Sequence, residues 1–218
     1  STPFEAIWGF NQAENWEEFR EAAKKFYVPA QNLLYADVEG NIGYQMPGRV
    51  PIRKNGDGTL PVPGWTDDYE WTGYIPFEEL PYTFNPPEGY IVTANNQVPP
   101  NDYPYLITQD WDYGFRAQRI VDMLQNAPAK IDMAYLQQMQ ADSYNANAQY
   151  YVPLLLELNY TSDLTPALDT LKTWDYQNNA DSTSAAVFNA FWRALLRNAF
   201  NDDLPEELWF SGGPRSNE

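Results

Sequence analysis

Leu33-Leu34-Tyr35-Ala36-Asp37-Val38-Glu39-Gly40-Asn41-Ile42-Gly43-Tyr44 is the stretch whose reading decides the fold of the front of this chain. Two short apolar and aromatic runs flank a polar segment ending in Gly-Asn, the chemistry of a tight reversal, so the spacing predicts a β-hairpin. Upstream, Asn15 fits a helix N-cap with Glu18 reaching back at the third position, and Trp16, Phe19, Ala23 and Phe26 recur at helical spacing. That helix is expected to lay an aromatic face on something apolar and to end near Pro29. Downstream, residues 46 to 87 are dense in Pro, Gly and aromatics, with turns marked at Pro47-Gly48, Asn55-Gly56-Asp57-Gly58 and Pro63-Gly64, and read as a wandering surface wrap. Gly89 to Ala94 returns to a strand signature that stops at Asn95-Asn96.

The character of the chain then changes. Thirteen of the 18 prolines lie in the first 104 residues, whereas residues 116 to 210 read as longer periodic segments. Helices are expected from Arg116 to a break at Pro128, with Ile120, Met123 and Leu124 on one face, and from about Asp132. Three more follow: Tyr150 to Leu158, started or kinked by Pro153; Thr165 to Lys172; and Ser182 to Phe200. In the last, Ser182 or Thr183 is the cap and Val187, Phe191, Ala194, Leu195 and Asn198 mark one face. This is an α+β chain with a β-rich segment over 1–115, carrying one N-terminal helix and long loops, and a helical segment over 116–218 that covers the sheet. The tail from Ser211 to Glu218 is expected to fray.

Composition narrows the chemistry. The chain has no histidine and no cysteine, which excludes a Ser-His-Asp triad, a Cys-His pair and imidazole-bound zinc. Carboxylate chemistry, or a hydroxyl activated by an α-amino group, survives. With 30 acidic and 13 basic residues the formal charge is −17, which repels nucleic acid and anionic membranes. No apolar run is long enough to span a bilayer, and no export signal is expected at the N-terminus. Asp57-Gly58 does not make a calcium loop of the EF-hand kind, because Arg53 and Gly64 would fall at its first and twelfth ligand positions. The acidic pairs Asp67-Asp68 and Asp202-Asp203 read as solvated surface.

The wording of the front half is more particular than composition. Ala30 to Tyr44, Leu60-Pro61-Val62-Pro63-Gly64-Trp65, Tyr69-Glu70-Trp71-Thr72-Gly73, Ile75 to Pro81, Asn85 to Asn96 and Phe115 to Ile120 resemble, in order, successive blocks of the penicillin acylase (penicillin amidase) family. Trp174-Asp175 matches a Trp-Asp pair that precedes a closing helix in that family. The resemblance implies an N-terminal nucleophile hydrolase with a four-layer αββα core, in which a Ser at the start of the large chain is nucleophile and supplies its own α-amine as base. An α-amino group near pKa 8 suits a chain without imidazole. The family's large chain begins Ser-Asn-x-Trp, whereas this one begins Ser1-Thr2-Pro3-Phe4. Ser1 is therefore read as a fragment end, and the chain as an internal segment that does not hydrolyse amides unaided.

By the same resemblance Asn95 offers its side-chain amide to the oxyanion of the tetrahedral intermediate, and Arg116 lies near it and holds the polar groups in place. Asn96 beside it, and Gln31 at a position lining the acyl pocket, fall on the substrate side. A polar Gln31 stands where family members preferring aromatic acyl groups have an apolar residue. Taken without the flanking blocks, Asn95-Asn96 also reads as a strand cap or a left-handed turn, and Arg116 as an ordinary ion pair with Asp110 or Asp112. No metal is expected in this chain, although a structural calcium is implied for the intact enzyme, with most ligands upstream and Asp57 and Asp110 near the remainder. The expected partners are a small acyl-amide substrate, the rest of the acylase and, through exposed apolar surface, another copy of the chain; the family implies a periplasmic or secreted location. Eight Trp and 16 Tyr in an acidic, loop-rich chain also suit a carbohydrate-binding module, and a carboxylate-pair glycosidase finds no spacing to support it.

Overall fold

The computed structural model of the chain describes residues 3–128 and 130–209. Ser1, and the tail beyond Trp209 with its expected fraying, lie outside the described residues. The fold is α+β, with helices α1 (Pro3–Phe10), α2 (Trp16–Ala23), α3 (Phe115–Gln125), α4 (Met133–Gln140), α5 (Ala146–Leu156), α6 (Thr165–Leu171) and α7 (Thr183–Phe200). The strands are β1 (Leu33–Ala36), β2 (Ile42–Gln45), β3 (Pro51–Arg53), β4 (Trp71–Tyr74) and β5 (Tyr82–Phe84). The chain forms two compact units, Ser1–Ala117 and Gln118–Glu218.

In the first unit β1 and β2 form the predicted antiparallel hairpin, with Leu33 opposite Gln45 and Ala36 opposite Ile42. Its turn is organised by Asp37, whose carboxylate accepts from the Glu39 and Asn41 backbone amides, the Asn41 side chain and the Tyr35 hydroxyl. These bonds, that from the Asn41 side chain foremost, hold the Asp37 carboxyl below its ordinary range. Gly40, at φ 90°, supplies the left-handed residue the reversal needs. The surface-wrap expectation for 46–87 is corrected. β5 pairs with β2 to complete a β1-β2-β5 sheet, and β3 pairs with β4 in a second, two-stranded sheet.

Cross-strand register explains how α2 is seated. Tyr35, Gly43 and Phe84 lie in one row, and Leu33, Gln45 and Tyr82 in the next. The Trp16 indole covers Gly43 and packs against Phe84, Tyr35 and Phe19 with ring centroids 5.3, 5.5 and 5.8 Å away. One turn on, Arg20 reaches the fully buried Gln45 at 2.9 Å, pairs with Glu78 at 3.0 Å and stacks 4.3 Å over Tyr82. Gln45 completes its bonding by donating to the Met46 carbonyl. The sheet's other face sends Tyr44 into a core with Met46, Val50, Ile75 and Leu80.

Helix α2 is capped as expected, the Asn15 side chain accepting from the Glu18 amide at 2.9 Å, but Glu18 reaches back to the Glu14 amide rather than to Asn15. It ends at Ala23, short of Pro29, because Lys25 and Phe26 turn back onto the Ala22 and Ala23 carbonyls. Helix α1 makes a second helix ahead of the hairpin where one was expected. It packs on α2 so closely that a Cβ at Gly9 would stand 2.7 Å from that of Ala22.

The second unit closes a core of its own from Ala148 and Val152 of α5, Leu171 of α6, Trp174, and Ala185, Phe188 and Trp192 of α7. The buried members of this cluster all come from the helical unit. The buried stripe of α7 is Ala185-Phe188-Trp192, rotated from the expected one, since Ala194, Leu195 and Asn198 are exposed. Ser182 caps α7, Asn145 caps α5 and Asp132 caps α4, each accepting from the amide three residues on. Pro153 sits inside α5 rather than at its start.

Candidate active site

The segment Gly89–Ala94 carries strand-forming residues yet forms no strand. A strand needs a partner for its backbone amides and carbonyls, and among the described residues none of the five strands pairs with it. The polypeptide that follows is tied down at Tyr103 and Tyr105. Tyr103 donates to the Glu79 carbonyl at 2.8 Å, and the Tyr105 hydroxyl donates to the Glu79 carboxylate, a bond that raises the Tyr105 pKa.

Asn95 adopts φ 64°, the left-handed region that Asn tolerates better than other non-glycine residues. Its carbonyl accepts from the Asp112 amide at 2.9 Å, and its neighbour Asn96 forms an isolated parallel bridge with Asp112. Arg116, the second residue of α3, brings one guanidinium nitrogen, Nη2, to three acceptors: Asp112 Oδ2 at 2.7 Å, the Ala94 carbonyl at 2.9 Å and Asn95 Oδ1 at 3.1 Å. Arg116 therefore pairs with Asp112 and also bonds Asn95. Asp112 Oδ1 accepts from the Gly114 amide at 3.1 Å.

This geometry fixes which end of the Asn95 amide faces which way. A guanidinium only donates, so the atom facing Arg116 must be the amide oxygen. The Nδ2 group then points away from Arg116 and, among the described residues, donates to no protein atom. The arrangement is a donor polarised by a cation on its oxygen side and available to an incoming acceptor. The Asn95 side chain is exposed, and a cavity of about 210 Å³ lined by Pro51, Ile52, Arg53, Gly56, Ile75, Pro104, Tyr105 and Leu106 does not include it.

The other sequence-derived candidates fall differently. Asn96 turns inward on its own loop, its Oδ1 accepting from the Ala94 amide at 3.0 Å and its Nδ2 donating to the Gln97 carbonyl. Gln31 is exposed two residues before β1 and takes no part in the bonds that join Asn95, Arg116 and Asp112. Asp57 is the hub of a turn, accepting from both the amide and hydroxyl of Thr59, with Gln109 on its other oxygen at 3.2 Å. Among the described residues no group of three or more acidic side chains is arranged to hold a metal ion, and no helix is long and apolar enough to cross a membrane. Asp112 is the member of the cluster that the sequence identifies only as a rival ion-pair partner. Its i, i+4 spacing from Arg116 across a helix start is the signal that points to it.

The penicillin amidase family model matches residues 1–217. The chain belongs to the penicillin amidase family. It is 36% identical over 198 residues to the penicillin acylase 2 proenzyme of Pseudomonas sp. (strain SE83), covering 89% of this chain and 25% of that protein. It is 33% identical over 219 residues to penicillin G acylase of Escherichia coli (92% and 25% covered), and 30% identical over 218 residues to the acyl-homoserine lactone acylase QuiP of Pseudomonas putida (93% and 26%). Its structure is similar to that of the thermostable penicillin G acylase of Alcaligenes faecalis, with a TM-score of 0.73 and 30% identity, covering 93% of this chain and 38% of that one. The chain thus spans about a quarter of the length of the relatives it matches in sequence.

Proposed function

We propose that this chain supplies the oxyanion-stabilising part of an acylase-type amidohydrolase that cleaves a linear acyl amide, releasing a carboxylic acid from an amine. The nucleophile in this reading is an N-terminal Ser on polypeptide outside residues 1–218, whose α-amine takes the hydroxyl proton and returns it to the leaving amine. As the carbonyl becomes tetrahedral its oxygen gains charge, and Asn95 Nδ2 donates to it while Arg116 holds the amide from behind. One observation carries the proposal: Asn95 Oδ1 is bonded to Arg116 at 3.1 Å, which leaves Nδ2 as the outward donor. Gln31 and Asn96 are assigned to the acyl side of the substrate. The amine is of the kind named for the relatives, a β-lactam nucleus or a homoserine lactone.

The remaining partners follow from the same reading. The rest of the acylase polypeptide packs on this chain, and in its absence apolar side chains such as Phe4, Trp8 and Trp65, which are 68%, 61% and 86% exposed, favour self-association. A structural calcium in the whole enzyme would take most of its ligands from outside this chain, and the enzyme works in the periplasm or outside the cell. The test mixes the purified chain with an upstream piece that begins at the nucleophilic Ser. Hydrolysis of an acyl amide by the mixture, and by neither part alone, is expected; activity from residues 1–218 alone would overturn the assignment of the nucleophile.

A further inference from the structure

Asn95 holds a backbone conformation that a side chain disfavours, and such residues persist where the surroundings over-determine them. Here the determinant converges on one residue. The Asp112 amide donates to the Asn95 carbonyl at 2.9 Å, fixing its main chain. The Asp112 carboxylate accepts from Arg116 at 2.7 Å, and the same Arg116 nitrogen bonds Asn95 Oδ1, fixing its side chain. Asp112 is thus bonded to Asn95 directly and also grips it through Arg116.

The exposures show which member of the pair leads. The Asp112 side chain is 8% exposed and the Arg116 side chain 48%. The carboxylate is anchored beneath the surface by the Gly114 amide on Oδ1, whereas the guanidinium is half in water and has several acceptors to choose from. A long cation of this kind stays in one geometry only where a fixed anion selects it. We propose that Asp112 is a positioning residue for amide hydrolysis: its carboxylate holds Arg116 against Asn95 Oδ1, so that Asn95 Nδ2 stays aimed at the developing oxyanion. The inference rests on the assignment of Asn95 as the oxyanion donor.

Asp112→Asn is the informative change because it keeps size while removing one acceptor. The carboxylate receives donors on both oxygens, from Gly114 and from Arg116, and an amide has only one oxygen to offer. One of the two donors must then face an NH2 group, so either the loop or Arg116 lets go. With Arg116 released, the Asn95 amide turns freely between two ends of nearly equal shape, and the fraction presenting Nδ2 falls.

The test uses the complete acylase carrying this chain, with Asp112→Asn, Asn95→Ala and the double substitution, read as kcat and KM separately and as Tm. Asp112→Asn is expected to lower kcat about tenfold with KM within about twofold, as for a displaced catalytic group. Asn95→Ala is expected to lower kcat about a hundredfold, and the double variant to match Asn95→Ala alone, because Asp112 acts only through Asn95. Losses that multiply in the double variant overturn the inference. So does a faster Asp112→Asn, which would mean that the carboxylate merely offsets the positive charge of Arg116. An unchanged Asn95→Ala overturns the assignment of Asn95 itself, whereas an unchanged Asp112→Asn beside a slow Asn95→Ala overturns only the role of Asp112. If the Asn variant is not recovered folded, Asp112→Glu, which displaces the charge by one methylene, is expected to show the same kcat loss, and wild-type kcat in it contradicts the proposal.

Discussion

Replacing Gly43 by Ala tests the seating of α2 on the hairpin. Gly43 has no positive φ, so its backbone admits a side chain, but a Cβ there would stand 2.5, 2.8 and 3.0 Å from Cζ3, Cε3 and Cη2 of Trp16. Carbon atoms in contact prefer about 3.5–4.0 Å, so the indole must retreat by about 1 Å. It has little room, being packed among Phe84, Tyr35 and Phe19 and only 7% exposed. Overpacking of this kind costs about 1–3 kcal/mol, and the reduced freedom of the unfolded chain returns about 0.4–1 kcal/mol, so a net loss of about 1.3 kcal/mol is expected. For a chain of this size that lowers Tm by about 3–5 °C, measurable by near-UV circular dichroism of the tryptophans. Gly73→Ala is the control, since Gly73 also lies in a strand with no positive φ and a Cβ there meets nothing within 4 Å; it is expected to change stability by less than about 0.5 kcal/mol. A Gly43→Ala protein as stable as wild type would refute the packing argument, as would an equal loss in a Trp16→Leu background, where the clashing ring is gone.

Two further outcomes test the helical unit. Phe188→Ala removes a fully buried ring packed against Trp174, Phe191 and Trp192, and is expected to cost about 3–5 kcal/mol in urea unfolding, where a loss under about 1 kcal/mol would contradict the described core. Asp142 accepts a forked pair of bonds from Arg119 at 2.8 Å each, and this pairing holds its carboxyl below the ordinary value against the opposing effect of burial. Its stabilisation is therefore present above the unfolded carboxyl pKa of about 3.9 and is lost as pH falls through the lower folded value. Wild type should lose stability on that limb, and Asp142→Asn should flatten it; equal pH dependence of the two in urea melts at pH 6 and pH 3 would contradict the assignment.

Much of this was legible in residues whose local chemistry has one solution. Asn15, Ser182 and Asp132 each precede an apolar periodic run and each caps a helix, and Gly40-Asn41 closes the hairpin as its composition requires. What the sequence did not show depends on neighbours. α1 shows no clear stripe in Pro-Phe-Glu-Ala-Ile-Trp-Gly-Phe, and only the approach of Gly9 to Ala22 reveals why a small residue stands there. The strands β3 to β5 are three or four residues long, set between prolines and glycines, and register with distant partners rather than alternation makes them strands. α7 is apolar over a wide arc, so periodicity finds the helix and leaves the choice between adjacent stripes to Trp174 and Val152 across the core. At the candidate site the opposite holds for Asn95 and Arg116, which are 21 positions apart and meet only in three dimensions. The role of Asp112 follows from burial, a quantity that spacing does not carry.

If Asn95 donates to an oxygen that becomes charged during the reaction, affinity for a tetrahedral boronate analogue of the acyl group reports it without turnover. Such an analogue presents the oxyanion without turnover, whereas the planar carboxylate product does not occupy the same position. In the complete acylase, Asn95→Ala should weaken boronate binding by the same factor as kcat/KM, about a hundredfold, corresponding to about 3 kcal/mol, while product affinity stays within about twofold. Equal boronate affinity in wild type and Asn95→Ala would contradict the account.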